Sequence, residues 1–178
     1  MDIKTFAEQL AHLSPSEAEL VQLGISRVSA QHFRRSFVCH EQHSATGPNA
    51  SEIDEFLTSW DCSNVAIGML RFSVPQRDRL GNVQIGWVED DPVMITVEMG
   101  EICVFEQGQM THMLWAAATN LPRFLDALIP AADFLAKRAI GKIDFDDPGV
   151  GRPVAEKCLL LAGGEKYRNF YLMLLGVE

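Results

Sequence analysis

Thiolate and imidazole are the ligands zinc prefers, and Cys39, His40 and His43 lie close together with Glu41 between them. A closed zinc site needs a fourth ligand. No second C-x-x-C or H-x-x-H segment supplies one, so this stretch reads as a polar loop with no metal. A Cys39–His40 nucleophile pair fits worse, because adjacent side chains on an extended segment point to opposite faces. Asp144, Asp146 and Asp147 imitate the start of a calcium loop. Counting from Asp144 puts Gly149 where that loop wants glycine, but Pro148 and Ala155 stand where it needs oxygen ligands. The run therefore reads as a solvated acidic turn. Gly149-x-Gly151 and Gly163-Gly164 lack the G-K-[ST] of a phosphate loop, and neither G-x-S-x-G nor H-E-x-x-H occurs. Active sites also assemble from scattered residues, yet nothing in this chain argues strongly for an enzyme. No catalytic residue, cofactor or metal is expected.

Tryptophan is the other residue type worth weighing, since it anchors protein interfaces as well as filling cores. Trp60 closes the helical stripe Ile53, Phe56, Leu57, which predicts a core position. Trp87 stands beside Glu89-Asp90-Asp91. Strand alternation puts it on the face of Val83 and Ile85, as core. Partly exposed, it would instead be an aromatic anchor with an acidic rim, suited to a basic partner. Trp87, Glu89, Asp90 and Asp91 are thus the candidate partner-binding residues, with core packing as the competing role for Trp87.

The elements that must position them change period along the chain. Ile3, Phe6, Leu10 and Leu13 predict a first helix. Ser14-Pro15-Ser16-Glu17 predicts a second start, with Ser14 as the cap, Pro15 in the first turn, Glu17 completing a capping box and Gly24 as the stop. Residues 39–51 read as a loop, after which Asn49 or Ser51 caps a short helix. Val65, Ile67 and Met69 alternate, as do Val83, Ile85 and Trp87, then Val93, Ile95 and Val97, then Ile102 and Val104. Period two with β-branched residues predicts strands, with turns at Gly81-Asn82 and Met99-Gly100 and a hairpin from Pro92 to Glu106. Residues 110–116 form a further strand or a connection. Thr119 or Asn120 caps a helix whose stripe is Leu121, Phe124, Leu125, Leu128 and Ile129; Pro130 should kink or divide it. Phe134, Leu135 and Ile140 extend the pattern to Gly141. Residues 144–153 read as a loop and 154–162 as helix, while the segment from Tyr167 to Gly176 is a helix or a buried strand that completes the core or seals a dimer. The fold class is α+β: a mostly antiparallel or mixed sheet of about four to six strands packed with flanking helices.

With 178 residues, 47% hydrophobic and 22% charged, the chain is long enough for one well-buried domain. A net charge of −9 disfavours nucleic acid and anionic lipid, and fits either plain solubility or a basic partner. The start from Met1 to Leu13 has no basic n-region or unbroken apolar core, so no signal peptide is expected. No stretch approaches a membrane span. Cys39, Cys62, Cys103 and Cys158 are then simplest as reduced thiols in the cytoplasm.

Gly86-Trp87 is followed by Glu89-Asp90-Asp91 and Pro92, then the strand from Val93 to Val97, then Gly100-Glu101-Ile102-Cys103-Val104-Phe105, and later Asn120-Leu121-Pro122-Arg123-Phe124-Leu125. In that order these motifs, spanning about Ile53 to Leu128, resemble the SUKH superfamily. The resemblance implies a region 1–48 of helices, a SUKH-like core over 49–140 and an extension over 141–178, together one domain. It implies a non-catalytic protein-binding module, of the kind that in bacteria neutralises a toxin, with a basic, nuclease-type toxin domain as the partner. The family's Leu-Pro and aromatic segment before its sheet has no clean counterpart here, and the tail is longer than is usual. Two other functions remain open. One is a dimeric secretion chaperone holding an effector segment; the other is a metal-dependent hydrolase using His40. Oligomeric state is not legible.

Overall fold

A computed structural model describes residues 1–42, 52–144 and 148–177. The N-terminal part is three helices, α1 (Ile3–His12), α2 (Glu17–Gln22) and α3 (Arg27–Arg35). A two-residue strand β1 (His40–Glu41) follows, then α4 (Glu52–Ser59) and β2 (Trp60–Asp61), which pairs antiparallel with β1. The main sheet comprises β3 (Ala66–Ile67), β4 (Leu70–Arg77), β5 (Val83–Val88), β6 (Asp91–Ile95), β7 (Ile102–Glu106) and β8 (Gln109–Ala118). Its six strands lie side by side in sequence order, every neighbouring pair antiparallel. The chain closes with α5 (Leu121–Ala139), α6 (Pro148–Ala162), a 3-10 turn (Glu165–Tyr167) and α7 (Arg168–Leu175). The fold is α+β, with helices flanking an antiparallel sheet. Among the described residues no helix is long and apolar enough to cross a membrane.

Local chemistry explains most boundaries. Asp2 caps α1 by accepting from Thr5 N at 2.8 Å. The cap of α2 is Ser16, not Ser14: Ser16 accepts from Glu19 N, and the Glu19 carboxylate accepts from Ser16 N at 2.9 Å. Both serines have a glutamate three residues on, so the capping-box pattern alone does not choose between them. Asn120 caps α5 by accepting from Arg123 N at 3.0 Å. The expected caps Asn49 and Ser51 lie outside the described residues.

Several expectations are revised. Pro130 does not divide α5, which runs through it with nine buried side chains along its length; the hydrogen bond that proline removes is outweighed by apolar contact on both sides. The alternation of Val65, Ile67 and Met69 is broken after Ile67, where Gly68 takes a φ of 59°. The chain reverses there, so that Ile67 pairs with Leu70 and Met69 lies exposed. Helix α6 begins at Pro148, within the expected loop, and the segment after Tyr167 is helical. Trp60 is half-buried on β2 rather than on a helix.

The core is threaded by aromatic rings. Phe6 of α1 lies 6.3 Å from Phe72 of β4, Phe72 lies 6.5 Å from Phe124 of α5, and Phe124 lies 6.1 Å from Phe170 of α7. Tyr171 meets Phe170 edge-on at 5.0 Å, and its hydroxyl donates to Ala117 O. Each fully buried ring contributes about 1.5–3 kcal/mol by leaving water. The apolar segment of α7 completes this core, with Phe170, Tyr171, Leu174 and Leu175 buried.

Candidate functional site

The candidate residues gather at the turn between β5 and β6. Val88 and Asp91 are cross-strand partners, so Glu89 and Asp90 form a two-residue hairpin turn. Such tight turns need a positive φ at the first central position, normally supplied by glycine or asparagine. Here Glu89 supplies it, with a φ of 54°. The strain of about 1–2 kcal/mol that a side chain suffers there is met by two contacts: Glu89 N donates to Met69 O at 3.3 Å, and Arg71 Nη2 donates to Glu89 O at 2.9 Å. Glu89 and Asp90 point both carboxylates into solvent. Asp91 is half-buried and accepts from Gln107 N at 2.9 Å, tying this turn to the β7–β8 turn.

Trp87 does not continue the face of Val83 and Ile85. A bulge between Gln84 and Gly86 inserts one residue against β6. The phase of the strand shifts, Val88 enters the core at 3% exposure, and Trp87 is half-buried. Gly86 makes this possible. A Cβ there would stand 2.4 Å from Arg71 O on the neighbouring strand. Arg71 is the cross-strand partner of Trp87.

Together these residues border an open cleft of about 470 Å³, lined by Ser63, Asn64, Arg71, Trp87, Glu89 and Gln107 among others. Arg71, Ser63, Asn64 and Gln107 carry no sequence signal that connects them to Trp87; strand pairing brings them in. The cleft offers an indole surface, two exposed carboxylates and one guanidinium held by a carbonyl. An indole beside carboxylates can take the aliphatic stem and charged head of a lysine or arginine.

Three other features lie outside the cleft. Glu101 is the one buried charged residue among those described, at 5% exposure. Its Oε1 accepts from Lys166 Nζ at 2.6 Å and from the Tyr167 hydroxyl at 2.9 Å, and that hydroxyl oxygen lies 3.1 Å from Thr119 Oγ1. Burial, then the Glu101 charge, pushes the Cys103 thiol up to about 11. Burial pushes the Cys158 thiol up to about 12. Both thiols stay protonated and poorly nucleophilic. The cluster latches the β6–β7 turn to the C-terminal helices. Next, a hollow of about 760 Å³ lies between α3 and α5, walled by Val28, Phe33, Phe37, Ile67, Ala132 and Leu135 among others. Lastly, His40 is exposed on β1 and Asp144 is exposed after α5, while His43, Asp146 and Asp147 lie outside the described residues. Among the described residues no three His, Cys, Asp or Glu side chains converge to hold a metal ion.

The chain matches no family model, and no curated protein or solved structure matches it.

Proposed function

We propose that this chain is a non-catalytic protein-binding module of the immunity type, acting in the cytoplasm, which receives a basic protein domain at the Trp87–Glu89–Asp90 cleft. The SUKH resemblance supplies the type of module and a nuclease-like toxin as the class of partner. The observation that carries the site is the bulge in β5. It turns an indole out of the core and sets it beside two solvent-facing carboxylates. A glutamate standing where a turn favours glycine supports a role for that side chain beyond folding. The net charge of −9 favours fast capture of a cationic partner.

The test is a pull-down with tagged protein, followed by association kinetics on the recovered partner. A partner rich in lysine and arginine is expected, with association slowed and its salt dependence flattened by the Glu89→Gln/Asp90→Asn variant. Unchanged kinetics in that variant would place the interface elsewhere. The apolar hollow between α3 and α5 favours a second function, a chaperone that holds an extended effector segment. Recovery of an effector whose binding survives the double variant but fails with Val28→Glu would favour it.

A further inference from the structure

Two of the four cysteines face each other. Cys39 directly precedes β1 and Cys62 directly follows β2. The ribbon pairs His40 with Asp61 and Glu41 with Trp60, so the next position outward sets Cys39 opposite Cys62. Their sulfurs lie 2.6 Å apart although 23 positions separate them in sequence. Residues directly opposed on antiparallel strands have Cα atoms about 4.5–5.5 Å apart, within the ~4.4–6.8 Å that a disulfide spans. No backbone rearrangement is needed to bridge them.

The two thiols are unequal. Cys62 is buried, and its thiol is held far above the usual range by the neighbouring Cys39 sulfur and by burial. Cys39 is half-buried, the less enclosed of the two. That is the arrangement of an attacking thiol beside a resolving one.

We propose that Cys39 and Cys62 form a reversible redox pair, oxidised by a peroxide to a disulfide that clamps β1 to β2 and reopened by a dithiol. With hydrogen peroxide, the Cys39 sulfur attacks one oxygen and the O–O bond breaks, giving a sulfenic acid at Cys39 and one water. Oxidation of Cys39 replaces the thiol contact that chiefly holds the Cys62 proton, and the Cys62 sulfur, giving up that proton, then attacks the Cys39 sulfur. The S–S bond forms, the S–O bond breaks, and the hydroxide leaves with the thiol proton as a second water. Two electrons pass from the two thiols to the peroxide. A ribbon of two-residue strands is marginal by itself, so a covalent clamp has much to add there. Ser63 and Asn64, which follow Cys62 directly, wall the Trp87 cleft. The bridge does not depend on what that cleft binds.

The full chain, purified reduced, is treated with hydrogen peroxide, alkylated under denaturing conditions and mapped by mass spectrometry. The expected product is a linked peptide pair containing Cys39 and Cys62, with Cys103 and Cys158 alkylated, and dithiothreitol reverses it. The oxidised protein should melt about 5–10 °C above the reduced one, and the Cys39→Ser variant should lose that difference. Four alkylated thiols after oxidation would overturn the proposal. So would over-oxidation of Cys39 to sulfinic acid with Cys62 still alkylated. The wild-type peptide map decides the matter even if a serine variant folds poorly.

Discussion

Lys166 Nζ stands 2.6 Å from Glu101 Oε1, joining the turn after β6 to the C-terminal helices across 65 positions of sequence. The carboxylate end is buried and the ammonium end is 55% exposed, so solvent screens part of the attraction. Lys166→Met leaves the Glu101 charge with Tyr167 as its remaining side-chain donor and should cost about 1–2 kcal/mol in urea unfolding. Adding Glu101→Leu to that variant should recover part of the loss. If the two losses simply add, the latch is not a coupled pair.

The same latch fixes the alkaline limb. Glu101 raises Lys166 above its ordinary 10.5, and burial raises Tyr167 above its ordinary 10.0. A group whose folded value is raised stabilises fully below its unfolded value and loses that contribution as pH rises through the folded one. Both groups therefore act in one direction. Melting temperature should fall on raising pH above about 10, and less steeply in Lys166→Met.

The acid limb follows from lowered carboxylates. Hydrogen bonding to Lys142, then to Ser16, lowers Glu19 from 4.5 to about 2, and the backbone and hydroxyl of Thr5 lower Asp2. Their contribution is present above the unfolded value and lost as pH falls through the folded one. A melting series from pH 5 down to 2 should show a decline that Glu19→Gln flattens; an identical slope in that variant would remove Glu19 from the account.

Gly86→Ala tests the bulge. The new Cβ would meet Arg71 O at 2.4 Å, a backbone atom that no rotamer change can move aside. Destabilisation of about 1–3 kcal/mol is expected, as for other overpacked sites, with a shift in tryptophan emission as the strand moves. Wild-type stability would mean that β4 and β5 separate there without cost.

Glu89→Gly separates stability from binding. Glycine relieves the left-handed backbone but loosens the unfolded chain, so unfolding free energy should stay level or rise by up to about 1 kcal/mol. Partner association should slow nonetheless. Trp87→Ala should weaken the complex by about 2 kcal/mol or more if the indole is an interface anchor, measured as a rise in dissociation rate.

What the sequence makes legible is what local chemistry decides. The stripe of α1, the Asn120 cap of α5 and the hairpin closed at Gly100 each follow from a few neighbouring residues. Strand β4 is obscured because Pro75 argues against a strand; the structure accommodates it where the β4–β5 register is irregular, between Phe72 and Gln76. The charges of the candidate cleft are legible as Glu89 and Asp90. The exposure of Trp87 is not, because one inserted residue inverts the phase that period-two counting relies on. Arg71, Ser63 and Asn64 become cleft residues only through pairing with distant strands.

The unbroken order of the six strands has a kinetic consequence. Each strand pairs with the one made just before it, so the sheet can assemble as successive hairpin closures, each on a scale of about 1–10 μs. The slow step is the closure of long loops. Helix α1 must find α5, and Glu19 must find Lys142, 123 positions away. Refolding should therefore show sheet signals early and burial of Phe6 last, with the N-terminal helices arriving on a surface the meander has already built.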